Sequence, residues 1–491
     1  MRKIHLGYDL SWTHLEGRWR MPGSWSHATF PDMRIYREIA QIAERGLLDF
    51  LFFGDGNGIP STYQGKRDGA VKWGLGWPRL DMSPYIAAMS QLTQHIGFGL
   101  TYSSTFMHPF YTARLLNSLD HVTGGRLAFN VIASSRRADA ANYGFDELME
   151  HARRYERMEE FMDVCFKLWA SVEPDAMIWD RTTGQVADPH KVHAINHKGE
   201  FFSVAGPLAS PPSPQGRPVI VQAGVSPRGV EAAAKFTDMI FASSPGLEKQ
   251  VAHRKRIDDA LVLQGRDPAG IGIIWDVVLI VGETEAEAKH RHKLLANALP
   301  PEALPVYLSH HSGFDMSKLP AQFTVNEINA EIVKSNASPV GFLNMAQMFD
   351  PDQQISRAEF FDAMADHATG ADHAVVGDAT QIADYLEETF VATGERGGFR
   401  RFHDRASHRR AARSAECHRL SCARIAASGA VSDRVSRQNP ARKPQRRRIG
   451  SRHAKDAYRP CGRPECYDHQ CAPAGHIEQG ARQGGPAAAD G

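Results

Sequence analysis

Several polar residues stand where an α/β chain gathers its chemistry. Asp55 follows the apolar run DFLFF (49–53) after one glycine, and Thr101, Ser103 and Ser104 close the run IGFGLTY that begins at Ile96. Ser134 and Ser135 close LAFNVIA, which begins at Leu127. His151 and Tyr155 are four apart and share one helix face. Ser226 lies in Gln222-Ala223-Gly224-Val225-Ser226, an apolar strand turning through glycine into a helix from Arg228. Such a turn offers free N–H groups and a hydroxyl to an anion of phosphate size. Each position also has a plain structural use, as a loop cap, a turn-forming hydroxyl or a pair packing under a loop.

The alternatives lose their ligands. There is no GxxxxGK[ST], no HExxH and no His-x-His after the first apolar run, so nucleotide-hydrolase and common metal-hydrolase readings are not supported. Cys461, Cys466, His469 and Cys471 are spaced unlike the usual zinc patterns and have no apolar surroundings, so no metal site is expected there.

The elements that must position these residues alternate along the chain. Strands are expected at 4–10, 49–53, 96–102, 127–133, 218–223, 238–242 and 271–281, with an approach to an eighth at Gly397-Gly398-Phe399. They are nearly continuous apolar runs without period-2 alternation, which indicates a parallel sheet covered on both faces. Helices are expected between them, among them one capped by Asp32 and one over about 148–169. The Gly-rich turn that a doubly wound sheet needs after strand one is missing, so the expected fold is α/β, a (β/α)8 TIM barrel. Insertions are expected at about 171–217, with a small hairpin around Phe201 and Phe202, and at about 299–373.

Composition changes abruptly at the end of this pattern. Up to Phe399 there are 37 Lys and Arg against 48 Asp and Glu; from Arg400 onward there are 20 against 8. The last 92 residues hold 18 Arg and only seven Leu, Ile, Val, Phe or Met, too few to bury a core, so 400–491 is expected to be a disordered basic tail. RKPQRRR (442–448) within it would suit nucleic acid. The body has a single cysteine, Cys165, and no apolar run approaches about 20 residues. A cytoplasmic protein without membrane association is expected.

Taken together, the residues resemble the bacterial-luciferase-like flavin monooxygenases, in the branch with nitrilotriacetate, dibenzothiophene-sulfone and long-chain alkane monooxygenases. The stretches that carry the resemblance run from residue 1 to about 399. They are Trp19-Arg20, FFGD (52–55), STFMHPFYTARLLNSLDHVTGGRLAFNVIASS with ANYGF (141–145), HARRYERMEEFMDVCFKLW (151–169), HKGEFFSVAGPLASPPSPQGRPVIVQAGVSPRG (197–229) and VGDATQIADYL (376–386). The resemblance implies a monooxygenase using reduced FMN, supplied by a separate NAD(P)H-dependent flavin reductase, and O2 to oxygenate a small organic substrate, with C–N or C–S cleavage in many members. It places Asp55 and Thr101 near the flavin ring and ribityl chain, His151, Tyr155 and Ser226 near its phosphate, and Ser134 and Ser135 toward the substrate. A homo-oligomer is expected. Some members carry a histidine at the position of Ser135, which Arg136-Arg137 follow here, so no catalytic base is assigned.

The family continues past Gly397-Gly398-Phe399 with an apolar eighth strand and a last helix. Here the eighth strand and final helix are expected to be missing or altered. The charge reversal, Arg excess and lone cysteines together read as out-of-frame translation from near Phe399. Two other readings stay open: a non-flavin barrel hydrolase or lyase, and an inactive truncated product whose basic tail binds nucleic acid.

Overall fold

The computed structural model describes residues 3–10, 17–22, 24, 31–243, 246–334 and 340–402. Eight strands form the barrel: β1 (His5–Asp9), β2 (Phe50–Phe53), β3 (Gly97–Ser103), β4 (Leu127–Ile132), β5 (Val219–Ala223), β6 (Met239–Ala242), β7 (Gly272–Val281) and β8 (Gly397–Phe402). All pair in parallel, each with its successor, and β8 pairs with β1, so the sheet closes on itself. The helices packed around it are α1 (Met33–Arg45), α2 (Ser83–Ser90), α3 (Pro109–Thr123), α4 (His151–Trp169), α5 (Pro227–Phe236), α6 (Leu247–Leu263), α7 (Glu285–Ala296) and α8 (Ala379–Ala392).

Local chemistry sets the helix starts. Asp32 accepts from the Arg34 amide at 2.8 Å ahead of α1, and Asp378 with Gln381 forms a reciprocal capping box ahead of α8. Glu150 accepts from the amides of Ala152 and Arg153 and so starts α4 at His151, three residues later than the apolar pattern suggests.

Inside the barrel, Phe52, Val221, Phe241 and Ile274 pack with Phe50, Ala128, Val219 and Met239. The Phe52 and Phe241 rings meet edge to face at 4.5 Å. Small residues face these rings: a Cβ on Gly7 would overlap the Phe50 ring, and one on Gly99 would come within 3.0 Å of Phe52. Because side chains alternate along a strand, the next inward positions toward the C-terminal mouth are Asp9, Thr101, Asn130 and Asp276. The aromatic floor thus carries a polar layer above it.

The eighth strand corrects the expectation of a lost or open edge. Gly398 to Arg401 stand in register with His5 to Tyr8, and Gly397 to Phe402 with Ile273 to Val278. A parallel ladder is made by main-chain groups, so the unusual side-chain sequence GGFRRF does not prevent it. Gly397, at φ 105, and Gly398 permit the close approach, and Phe399 is buried against Leu386 and Phe390 of α8. A helix after β8 and the basic tail beyond Phe402 lie outside the described residues.

Two excursions leave the barrel. One holds an antiparallel pair, His197–Lys198 with Ser203–Val204, which places Phe201 and Phe202 in the turn between them. The other, between α7 and α8, contains helices Leu304–Ser312, Val325–Lys334 and Arg357–Thr369 around Phe323, Phe342 and Phe360. It packs on Ala70 and Leu75 of the β2–β3 loop, and its Tyr307, His311 and Met345 share a cavity with Ser243 and Asp276 at the strand ends. Among the described residues, no helix is long and apolar enough to cross a membrane.

Candidate functional site

Three neighbourhoods at the strand C-termini hold the residues singled out by sequence. At the first, the N-termini of α4 and α5 meet. Ser226 caps α5, its hydroxyl accepting from the Gly229 amide at 3.1 Å; Pro227 has no N–H, so the first-turn donor with no carbonyl four residues back to bond is the Arg228 amide. The His151 and Tyr155 rings lie edge to face at 5.2 Å, and the Arg228 guanidinium stands 5.4 Å from the Tyr155 ring centre. Arg228 is itself held by Glu159 at 2.6 Å. Gly229 lines this cradle: a Cβ there would sit 3.0 Å from Ser226 Oγ and 3.1 Å from Tyr155 Oη. Burial, then the neighbouring Arg154, lowers the His151 pKa below the usual imidazole value. At neutral pH it is therefore a neutral ring able to donate one hydrogen bond.

The second neighbourhood is the inward polar layer. Thr101 and Asn130 stand directly opposite one another on β3 and β4, and the Asn130 amide donates to the Thr101 hydroxyl at 3.0 Å. Asn130 is buried, and its Oδ1 has no partner among the described residues. Ser103, Ser104 and Ser134 serve the backbone instead. Ser134 donates to Ser103 Oγ, which also accepts from the amides of Thr105 and Phe106, and Ser104 donates to the Ile132 carbonyl. These hydroxyls shape the turn after β3.

Asp55 belongs to the third, a cavity of about 330 Å³ that it lines with Trp77, Arg79, Asp81, Tyr102 and Tyr143. Its carboxylate accepts from the Gly56 amide at 2.7 Å. Burial raises its pKa, the Gly56 hydrogen bond and Arg79 oppose the rise, and Asp81 and Asp139 add to it. Tyr102 bonds Asp81 at 3.1 Å, and burial pushes its phenol upward, so it stays protonated. Tyr143 stacks on Phe106 at 5.2 Å and accepts from Asn57 at 2.6 Å. Ser135 lines a neighbouring cavity of about 600 Å³ with Arg136, Arg137, His310 and His311.

The fold therefore brings His151, Tyr155 and Ser226 together, seats Thr101 in the floor of the mouth and puts Asp55 in a side cavity. Asn130, Arg228, Gly229, Asp81 and Tyr102 were not singled out by sequence. Asn130 had a signal, an amide in the middle of the apolar run LAFNVIA. Arg228, Asp81 and Tyr102 had none, since each acts through a partner distant in the chain, and Gly229 meets Tyr155 only in the folded chain.

The chain is similar to proteins of known class. The profile of the luciferase-like monooxygenases matches residues 16–396. The chain is 36% identical over 339 residues to dibenzothiophene-sulfone monooxygenase of Rhodococcus erythropolis (strain XP), covering 68% of this chain and 74% of that one. It is 38% identical over 309 residues to nitrilotriacetate monooxygenase component A of Aminobacter aminovorans, covering 61% and 67%. The crystal structure of a long-chain alkane monooxygenase superposes with a TM-score of 0.76 at 30% identity, covering 87% of this chain and 92% of the other. A riboflavin lyase structure with modified FMN and riboflavin gives 0.75 at 25% identity, covering 88% and 92%.

Proposed function

This chain belongs to the luciferase-like monooxygenase family, and from that premise we propose that it is the oxygenating component of an FMN-dependent two-component system. The observation that carries the reading is the cradle around Gly229. The Arg228 amide at the start of α5, a neutral imidazole, a phenol and a capping hydroxyl converge on a space that a single Cβ would narrow. Those are the donors a dianionic phosphate needs.

The residues present fit FMN. His151, Tyr155, Ser226 and the Arg228 amide would hold the phosphate. Thr101 and Asn130 would face the ribityl chain or ring edge, where the unpartnered Asn130 Oδ1 can accept from a flavin N–H. Asp55 would stand toward the ring, beside the cavity that Trp77 and Tyr143 close with apolar surface. Bound reduced FMN supplies the activation of O2; the protein orients substrate and cofactor and keeps water out. A relative named as a component A and a similar structure holding modified FMN support the reading of a separate reductase delivering reduced FMN. The substrate is a small organic molecule, with C–S or C–N cleavage as the outcome to test first.

The test is equilibrium titration with oxidised and reduced FMN under anaerobic conditions, followed by oxygenation assays with an NAD(P)H:flavin reductase. Saturable binding of reduced FMN and product formation only when the reductase is present are expected. Failure to bind either form would remove the proposal.

A further inference from the structure

We infer that His367, Asp372 and His373 form a binding site for a divalent transition cation of the zinc class. The three come from a short stretch, HATGADH, at the end of the second excursion. His367 lies in the last turn of the helix Arg357–Thr369. Gly370, at φ 75, caps that helix in the left-handed conformation, and the Ala371 amide returns to the Asp366 carbonyl at 2.9 Å. This reversal swings Asp372 and His373 back beside His367. A ring nitrogen of His292, on α7, lies 2.8 Å from the Ala371 carbonyl and pins the turn from the barrel side.

The resulting geometry is that of a ligand set. His367 Nδ1 lies 2.8 Å from one Asp372 oxygen, and His373 Nδ1 lies 2.6 Å from the other. One ligand atom from each residue lies within 4.8 Å of the other two. Around a tetrahedral cation with bonds of about 2.0–2.2 Å, neighbouring donors stand roughly 3.3 Å apart. The two imidazole nitrogens, now 2.8 and 2.6 Å from Asp372 oxygens, would draw back from the carboxylate by roughly half an ångström or slightly more to take it.

Two imidazoles and one carboxylate favour zinc, copper, nickel or ferrous iron over magnesium or calcium. Loading displaces the protons that now bridge each imidazole to Asp372. His373 is half-exposed, so the site can fill from solvent. The cluster also borders a cavity of about 660 Å³ lined by Ser243, Lys249, Asp276 and Tyr385, at the mouth beside β6 and β7. Three protein donors leave a fourth coordination position for water or a cavity ligand. A cation here would tie the end of the excursion to the short strand Val375–Gly377, which pairs with β7. It would thereby fix the segment that leads into α8 and the closing strand.

The test uses the untagged full chain, treated with chelator and dialysed, then titrated with Zn2+ by calorimetry and with Co2+ followed by its visible absorption. The wild type should bind one more cation per chain than His373→Gln or Asp372→Ala, and Zn2+ should raise its melting temperature but not theirs. The difference between wild type and variant is the readout because it cancels any adventitious uptake by the tail cysteines and His469. His373→Gln alters a half-exposed ring and so reads the site even if Asp372→Ala, which removes the partner of both imidazoles, fails to fold. Equal stoichiometry and equal thermal shifts in wild type and His373→Gln would overturn the inference, as would no uptake by the wild type.

Discussion

The side-chain amide of Asn130 donates to the hydroxyl of Thr101 at 3.0 Å across the β3–β4 step of the barrel. Both side chains are buried, and they form the polar layer directly above the Phe52 and Phe241 floor. Thr101 therefore works as half of a pair. Replacing it by valine keeps the shape and leaves a buried amide N–H without its acceptor. Thr101→Val should cost about 1–3 kcal/mol in urea unfolding, whereas Thr101→Ser, which keeps the oxygen, should cost clearly less.

On the proposed FMN reading, Gly229 would separate phosphate recognition from ring recognition. A Cβ there would stand 3.0 Å from Ser226 Oγ and 3.1 Å from Tyr155 Oη, inside the cradle. Gly229→Ala should weaken FMN binding by about tenfold or more, the loss of one charge-assisted hydrogen bond, and leave riboflavin binding nearly unchanged. Fluorescence titration with the two flavins reads this; equal losses for both would remove the phosphate assignment.

His253 sets an acid limit on stability. It is fully buried on α6 against Trp275, and burial first, then the Arg256 charge, lowers its pKa from 6.5 to about 4. The unfolded chain takes up this proton as pH falls below about 6.5 while the folded chain does not, so stability falls through that window and levels near pH 4. The loss amounts to about 3 kcal/mol. Urea unfolding of His253→Leu from pH 7 to pH 4 should show a slope shallower by one proton than that of the wild type.

Closure by β8 depends on Gly398. A Cβ at that position would overlap the backbone carbonyl of His5 on the neighbouring strand. Gly398→Ala should lower the melting temperature by several degrees or more, the scale of a strained strand contact of about 2 kcal/mol. If the barrel tolerated this change, the pairing of β8 with β1 would be in question. Resequencing the gene through Arg400 bears on the remaining expectation, out-of-frame translation of the tail.

Legibility in the sequence followed the range of the forces involved. The apolar runs that became β2, β3 and β7, the cap at Asp32 and the Ser226 turn could be read directly, because burial on both faces and helix capping act over a few residues. Of the candidate site, Ser226 announced itself as an anion-ready turn, and His151 and Tyr155 announced only that they share a helix face. Arg79, Arg228 and Tyr102 gave no local sign, since an arginine or tyrosine in a loop or helix looks the same whether it faces solvent or a cavity.

Read alone, then, the chain determined its alternation of elements, its barrel class and the family it resembles, all of which reside in local pattern. Only the tertiary structure decided that α4 and α5 meet around Gly229, that Asn130 is the partner of Thr101, and that GGFRRF closes the barrel between β1 and β7. Those outcomes rest on strand register and main-chain pairing between residues as far apart as His5 and Gly398. Apolar runs buried on both faces do not name their distant partner, because a parallel ladder bonds the backbone of whatever side chains it is given.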